Sequence, residues 1–159
     1  MKKIKLLDAV RKCNLKKVKE LIDAGADVNE MDVIGQTALM EASVFGSVKI
    51  VKKLLSAGAK TEIKDHTNST ALLYAIICGN IKVVSVLLEA GANTNTCDLL
   101  GRNALVWAVR RGDIDIVKLL LSYGVIINAK DSHGDTPLTW AIRGEHKKIA
   151  LYLRRRHAK

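Results

Sequence analysis

The chain has 159 residues, 48% of them hydrophobic and 26% charged, with a formal net charge of +10 and only 11 glycines and one proline. This composition excludes a disordered, collagen-like or linker-dominated chain, and the length suits one domain or a short array of repeats. A chain of this size can bury a sufficient core without disulfides or a structural metal.

The sequence contains no apolar run long enough to cross a membrane. The longest, from Ala71 to Cys78, has eight residues, whereas a membrane helix needs about 20. Asp8, Arg11 and Lys12 interrupt the basic start of the chain before a secretory signal can develop. Three cysteines at no metal-ligand spacing are typical of a reducing compartment. We therefore expect a cytoplasmic protein without membrane association.

One pattern recurs along the chain with a period of 33 residues. The period separates four aspartates, which are Asp32, Asp65, Asp98 and Asp131. It also separates four glycines, which are Gly25, Gly58, Gly91 and Gly124. An apolar stripe with helical spacing precedes each of these glycines, so the sequence predicts a repeat architecture.

Each repeat contains the same predicted elements in the same order. A turn-rich stretch ends at a residue that can cap a helix, and these residues are Thr37, Thr70, Asn103 and Thr136. A short first helix follows and stops at a tight turn. A longer amphipathic second helix then ends at the repeated glycine, where a left-handed residue favours glycine.

This arrangement resembles the ankyrin repeat over essentially the whole chain. The residues that carry the resemblance are Asp131-Ser-His-Gly-Asp-Thr-Pro-Leu138 with Ala141, and the Gly-Ala-x-x-Asn segments that begin at Gly25 and Gly91. Two departures affect turns, because Asn68 and Glu145 stand where other repeats have glycine. The resemblance implies an all-α solenoid of helix-turn-helix units joined by β-hairpin-like loops.

We predict a single ankyrin-repeat domain with five units, at 1–31, 32–64, 65–97, 98–130 and 131–159. The terminal units carry polar residues where the inner units are apolar, as at Lys17, Lys147 and Arg154. A helix at the end of an array has no outer neighbour and must face water. The first and last units are therefore expected to be caps, and the array to be complete.

No set of residues predicts catalysis. The sequence lacks a phosphate-binding loop, a dinucleotide fingerprint and a Gly-x-Ser-x-Gly motif. Asp113 and Asp115 lie at the start of a predicted helix, where negative charge favours the helix dipole. No two histidines share a helix face with a cysteine at ligand spacing. We expect no enzymatic activity, no catalytic residue, no metal site and no cofactor.

The resemblance implies a concave face lined by first helices and hairpin tips. Four variable positions that precede a repeated alanine point into this groove, and they hold Glu41, Tyr74, Trp107 and Trp140. Aromatic and arginine side chains are enriched in binding hot spots. The predicted partner-binding site consists of Glu41, Phe45, Tyr74, Arg102, Trp107, Arg110, Arg111, Trp140 and Arg143. Alternatively, Trp107 and Trp140 only pack between adjacent first helices.

The predicted function is protein–protein interaction through this groove and the hairpin tips. Tyr74, Trp107 and Trp140 would anchor the partner, the arginines would bind its carboxylates, and Glu41 would set specificity. We expect a monomer and a partner with an acidic surface. The alternative is binding of a nucleotide or single-stranded nucleic acid, because aromatic rings beside arginines can stack on bases.

Two further features bear on the binding surface. The hairpin tips carry the aliphatic pairs Val33-Ile34 and Leu99-Leu100, which either contact a partner or pack on one another. Most of the excess Lys and Arg lies on predicted second helices or the tail, as in Lys16, Lys49 and Lys52. We therefore interpret the positive charge as largely solvated convex surface.

Overall fold

The computed structural model describes residues 6–158, so residues 1–5 and 159 of the predicted terminal units lie outside the described part. Ten α-helices run through the described residues, with the bounds α1 Leu6–Arg11, α2 Leu15–Asp23, α3 Ala38–Val44, α4 Val48–Ser56, α5 Ala71–Ile77, α6 Ile81–Glu89, α7 Ala104–Arg111, α8 Ile114–Ser122, α9 Pro137–Arg143 and α10 Lys147–Arg154. None of these ten is long and apolar enough to cross a membrane.

The helices pack as successive pairs. Within a pair, the shorter first helix contacts the second, as α3 contacts α4 and α7 contacts α8. First helices also stack on first helices, from α1 on α3 to α7 on α9, and second helices stack on second helices. Contacts that connect each unit mainly to its sequence neighbours define a solenoid. The prediction of an all-α solenoid is confirmed.

Small residues in the first helices and an apolar stripe in the second helices form a continuous core. Ala42, Ala75 and Ala108 are fully buried where first helices stack. In the second helices, positions such as Val51 and Leu54 are likewise fully buried. Burial of one such large apolar side chain contributes about 1.5 to 3 kcal/mol. The stripe thus fixes which face of each second helix points inward.

The predicted cap residues begin the first helices. Thr37 Oγ1 accepts a hydrogen bond from the backbone N–H of Met40 at 3.3 Å, and Asn103 Oδ1 accepts one from Val106 at 3.1 Å. Thr136 Oγ1 accepts one from Thr139 at 3.3 Å, whereas Thr70 occupies the cap position before α5 without a side-chain cap bond. All four cap residues have extended backbone angles, as is usual for a residue that begins a helix.

The two turns that lack the expected glycine keep the turn geometry. Asn68 has a φ of 61° and Glu145 a φ of 55°, both in the left-handed region where the other repeats place glycine. Asparagine tolerates this conformation through its short polar side chain, whereas glutamate adopts it at a cost in backbone energy. The departures noted in the sequence therefore leave the fold unchanged.

Adjacent hairpins are linked through their backbones. The N–H of His66 donates to the Ile34 carbonyl at 3.2 Å, and the N–H of Ser132 donates to the Leu100 carbonyl at 2.9 Å. The aliphatic side chains nevertheless face solvent, since Val33 is 92% exposed and Leu99 is 65% exposed. The tips contact each other through the main chain, while their side chains remain available on the surface.

Candidate functional site

Each of the four repeated aspartates organises the hairpin in which it lies. In the fourth helix pair, Asp98 Oδ1 accepts hydrogen bonds from the backbone N–H groups of Leu100 at 2.9 Å and Arg102 at 3.0 Å. Asp32, Asp65 and Asp131 bind the equivalent N–H groups two and four residues further along. These bonds orient each carboxylate so that Oδ2 remains for another donor.

Three of the predicted groove residues donate to that second oxygen. Trp107 Nε1 lies 3.1 Å from Asp98 Oδ2, and Trp140 Nε1 lies 2.8 Å from Asp131 Oδ2. The Tyr74 hydroxyl donates to Asp65 Oδ2 in the same way. All three aromatic side chains are half-buried, so each ring packs against the core and also presents a surface to the groove. The tryptophans thus pack against the core, as one interpretation predicts, and their role in partner binding stays a prediction.

The hydrogen bonds lower the pKa of two of these carboxylates, Asp65 and Asp131. Burial acts to raise the pKa of Asp131, but bonds from Trp140 and the backbone outweigh it and lower the pKa overall. For Asp65, burial is again outweighed by bonds from Tyr74, Thr67 and the backbone, so its pKa is also lowered. Burial, followed by the bond to Asp65, raises the pKa of Tyr74. The lowered pKa favours the charged form of the acceptors that bind Tyr74 and Trp140.

Glu41 differs from the prediction, because its side chain is not available to a partner. It is only 9% exposed and accepts a 2.7 Å hydrogen bond from Arg11 Nε. Arg11 also donates through Nη2 to Asp32 Oδ2 at 2.9 Å. A carboxylate at position 41 cannot donate to Asp32, so a cation from α1 bridges the two acids. The bond to Glu41 is the largest contribution that raises the pKa of Arg11.

Arginine and tryptophan side chains alternate across the last two helix pairs. The guanidinium carbon of Arg102 lies 4.2 Å from the ring centre of Trp107. That of Arg110 lies 4.7 Å from the ring centre of Trp107 and 4.8 Å from that of Trp140. Distances below about 6 Å give cation–π attraction. The two indoles therefore flank Arg110 on the face formed by the first helices and hairpins, which we call the concave face. We call the four side chains Arg102, Trp107, Arg110 and Trp140 the Trp–Arg stack.

Three of the four predicted arginine contacts are paired with acids within the chain, and one of them is Arg111, whose Nε lies 4.0 Å from Asp113 Oδ2. Arg102 forms a 2.7 Å ion pair with Asp98, and its side chain is only 17% exposed. It therefore supports the hairpin rather than standing free, which corrects its prediction as a direct partner contact. Arg143 pairs with Asp135 but keeps 59% of its side chain exposed.

The remaining predicted site residues lie at the C-terminal ends of the first helices. Arg111 Nη1 donates to the carbonyl oxygen of Ile77 at 2.9 Å and thereby links α7 to α5. Phe45 is 49% exposed at the end of α3. Arg110 is exposed and has no acidic partner within residues 6–158. These three residues border the groove, and Arg110 is its unneutralised cation.

Two adjacent open pockets indent the concave face. The first, of about 280 Å³, exposes mainly apolar surface from Tyr74, Ile77, Leu99, Leu100 and Trp107. Its lining also includes Thr67, Ser69 and the paired Asp98 and Arg102. The second, of about 200 Å³, is lined by Ile77, Trp107, Arg110 and Arg111. We call them the apolar pocket and the arginine pocket. Ile77 and Trp107 line both, so these two side chains form the wall between them.

Metal-binding and nucleophilic groups are not brought together on this face. In the described part of the chain, no group of three His, Cys, Asp or Glu side chains could hold an ion. Burial raises the pKa of the Cys97 thiol, which disfavours the reactive thiolate. The arrangement on the concave face offers apolar and cationic contacts rather than acid–base or nucleophilic chemistry.

Sequence analysis missed the bridge formed by Arg11 and the partnership between aspartates and aromatic residues. A signal was present, because Asp65, Asp98 and Asp131 each precede their aromatic donor by nine residues. The same offset from Asp32 leads to Glu41, which has no proton to donate when ionised. That mismatch predicts a cation from elsewhere, although it does not identify Arg11.

Comparison with known families agrees with this geometry. A sequence model of the ankyrin-repeat family, which describes three copies of the repeat, matches residues 6–98 and 90–159. The chain therefore belongs to the ankyrin-repeat family. Among curated proteins, none matches the chain. Ankyrin repeats are generally protein–protein interaction modules, and the family is typically non-enzymatic.

Proposed function

We propose that this chain is a non-enzymatic recognition module that binds a protein partner through its concave face. Tyr74, Trp107 and Trp140 serve as anchors, and Arg110 binds a carboxylate of the partner. The observation that carries the proposal is the Trp–Arg stack, in which two half-exposed indoles flank a cation that has no acidic partner in residues 6–158. Such residues supply most of the energy in protein interfaces.

The surface is ordered before a partner arrives. The indole of Trp107 is held by Asp98 and the indole of Trp140 by Asp131, so neither ring needs to be immobilised on binding. Each side chain that must be ordered costs about 0.5 to 1.5 kcal/mol of binding free energy. A guanidinium that stacks on a ring can still donate hydrogen bonds, because its N–H groups point outward in its own plane. Preordering thus favours affinity through few contacts.

Exposed apolar residues extend the surface beyond the stack. Phe45 lies at the end of α3. Leu99 and Leu100 are exposed in the hairpin that precedes α7, which we call the fourth hairpin. Arg111 and Arg143 add positive charge along the same edge, although both also make contacts within the chain. The combination suits a protein surface with apolar and acidic groups, since mixed contacts of this kind are typical of interface centres and rims.

The two arginines that lie over the Trp107 ring favour a protein ligand over a nucleic acid. Two guanidinium groups already lie over this indole, at 4.2 and 4.7 Å from its centre. Stacking of a base requires a free aromatic face, so a nucleobase would have to displace an arginine. A protein side chain can bind the edge of the stack without displacing either group.

The test is capture from a lysate of the native host, followed by measurement with the purified partner. We expect the double variant Trp107→Ala, Trp140→Ala to lose the partner, with each substitution weakening binding by about 2 kcal/mol. Tyr123→Ala is the matched control, because Tyr123 is an exposed aromatic at the end of α8. Circular dichroism checks that helical content is retained.

Nuclease treatment of the lysate separates the two ligand classes. Capture that survives nuclease supports a protein partner, whereas capture that depends on nucleic acid contradicts the proposal. Equal affinity of the purified partner for the wild type and the double variant would place the binding surface elsewhere.

A further inference from the structure

The concave face carries two different kinds of contact side by side. The apolar pocket is lined by Leu99 and Leu100 of the hairpin before α7 and by Tyr74 of α5. The arginine pocket shares Ile77 and Trp107 with the apolar pocket and is also lined by Arg110 and Arg111. Because the same two side chains separate them, groups bound in the two pockets must be close together on the ligand.

The size of the pockets limits what each can hold. Their volumes are about 280 and 200 Å³, and both pockets are open to solvent. Each pocket therefore suits a single side chain. An extended peptide can supply two such side chains a few residues apart, with its backbone passing over Trp107.

Of the two cations in the arginine pocket, Arg111 lies 4.0 Å from the Asp113 carboxylate, whereas Arg110 has no acidic partner among the described residues. Three carboxylates behind the concave face, those of Asp65, Asp98 and Asp131, each accept hydrogen bonds from their own hairpin and an aromatic donor. Glu41 is paired with Arg11. Arg110 is exposed and has no acidic partner in the described residues. The pocket is complementary to a negatively charged group.

Arg110 is also oriented toward a planar acidic ligand. The rings of Trp107 and Trp140 flank it at 4.7 and 4.8 Å, which fixes the guanidinium while its N–H groups remain free of hydrogen bonds to other described residues. Neighbouring Arg111 uses Nη1 to bind the Ile77 carbonyl and keeps 42% of its side chain exposed. A carboxylate can accept two parallel hydrogen bonds from a guanidinium held in this way.

We infer that the concave face recognises a short segment of a partner protein in which an apolar side chain and an acidic side chain lie close together. The apolar side chain enters the apolar pocket, and the carboxylate binds Arg110 in the arginine pocket. This inference rests on the proposed function, since it specifies the chemistry of the ligand at that surface.

The experiment uses the intact chain and random 12-residue peptides displayed on phage. Selected sequences are expected to share a Leu, Ile, Met or Phe within a few positions of an Asp or Glu. One selected peptide is then synthesised in three forms: unchanged, with the acid replaced by its amide, and with the apolar residue replaced by Ser. Binding of each labelled peptide is measured by fluorescence polarisation.

Two pairs of variants, each a pocket substitution with a matched control, test the contribution of each pocket to peptide affinity. Arg110→Gln should weaken the unchanged peptide about 10- to 100-fold and leave the amide form nearly unaffected, because a charge-assisted bond is lost only in the first case. Lys52→Gln removes the same charge from the exposed surface of α4 and should change neither. Leu99→Ser should weaken only peptides with the apolar residue, whereas Ile126→Ser, another exposed aliphatic, should not.

The outcomes distinguish this inference from the proposed function. If Arg110→Gln weakens both the acidic and amide peptides equally, or if selection enriches sequences without the apolar–acidic pair, the inference is overturned while the surface stands. If selected peptides bind Trp107→Ala and Leu99→Ser as tightly as the wild type, the surface itself is wrong and the proposed function fails with it.

Discussion

The second hairpin, which precedes α3, and the fifth hairpin, which precedes α9, each contain the repeated aspartate. Different residues donate a hydrogen bond to that aspartate in the two hairpins. In the fifth, Asp131 accepts a hydrogen bond from Trp140 of the same helix pair. In the second, Asp32 accepts one from Arg11, which belongs to α1 and also pairs with Glu41. Both hairpins thus have a donor at Oδ2 of the aspartate, but the residue that donates differs. Where the groove residue is an acid, a neighbouring cation takes the role.

The two hairpins also differ in what lies beside them. A Cβ atom added to Gly35 in the second hairpin would lie 3.0 Å from the Cα of Asp65 and 3.2 Å from the N of His66. A Cβ added to Gly134 in the fifth hairpin would meet nothing within 4 Å. Both glycines have a left-handed φ, 82° at Gly35 and 79° at Gly134, so the backbone cost of a side chain is the same at both.

The largest expected effect uses this contrast. Backbone strain alone should destabilise Gly134→Ala by about 1 kcal/mol, because alanine disfavours a positive φ. Gly35→Ala adds displacement of the third hairpin, so we expect a loss of about 2 to 3 kcal/mol in the free energy of unfolding. Urea denaturation of both variants measures the difference. Equal losses would show that the hairpins are not in tight contact.

The next effect concerns the cation that bridges the two acids. Arg11→Ala leaves Glu41 buried without its partner, a change that costs about 3 to 5 kcal/mol when an ion pair is fully buried. Because the Arg11 side chain is 42% exposed, solvent screens part of the interaction, and we expect about 1 kcal/mol. Urea denaturation of the variant measures this loss.

A double variant turns the second hairpin into a copy of the third. Glu41→Tyr combined with Arg11→Ala supplies a hydroxyl that can donate to Asp32, as Tyr74 does to Asp65. The double variant should therefore recover most of the stability lost in Arg11→Ala. A double variant that is no more stable than the single one would contradict the view that any donor at Oδ2 suffices.

The smallest expected effect is on pH dependence. The pKa of Asp131 is lowered from 3.8, because burial is outweighed by the bonds from Trp140 and the backbone. A lowered folded-state pKa means that the stabilisation is present above the unfolded value and is lost as pH falls through the folded value. The wild type should thus lose stability below about pH 4, and Asp131→Asn should show a shallower loss in urea denaturation.

The pKa of Asp32 is also lowered, with burial again outweighed, here by the backbone and Arg11. Asp32→Asn should therefore flatten the same pH profile. The two sites should respond differently to salt, because the Asp32–Arg11 pair is screened and the bond from a neutral indole is not. Identical pH profiles for wild type and both variants would contradict the role assigned to these carboxylates.

Much of the fold could be predicted because it is periodic. The recurrence of Asp, Gly and apolar residues every 33 positions indicated the order of helices and the side that faces the core. The position of Trp107 and Trp140 beside the groove followed from the same register. The aspartate partners could not be predicted with the same certainty, because spacing along the chain does not state which donor reaches a given oxygen.

Glu41 and Arg102 show why the partner of a charged side chain could not be predicted from its position in the repeat. Glu41 occupies a groove position but turns to Arg11, and Arg102 turns to Asp98 in its own hairpin. In both cases a buried charge is stabilised by the nearest opposite charge, which lowers its availability to a partner. Arg110 remains available because its neighbours are aromatic rings rather than acids.

The location of each donor determines which parts of this array are self-contained. The Asp98–Trp107 and Asp131–Trp140 hydrogen bonds each lie within one helix pair and its hairpin. Moving either unit into another array would therefore keep the donor and the acceptor of this bond together. The second pair depends on Arg11 from upstream, and moving it alone would separate Asp32 from its donor. Exchangeability of units is thus a property of where the hydrogen bond begins, not of the repeat length.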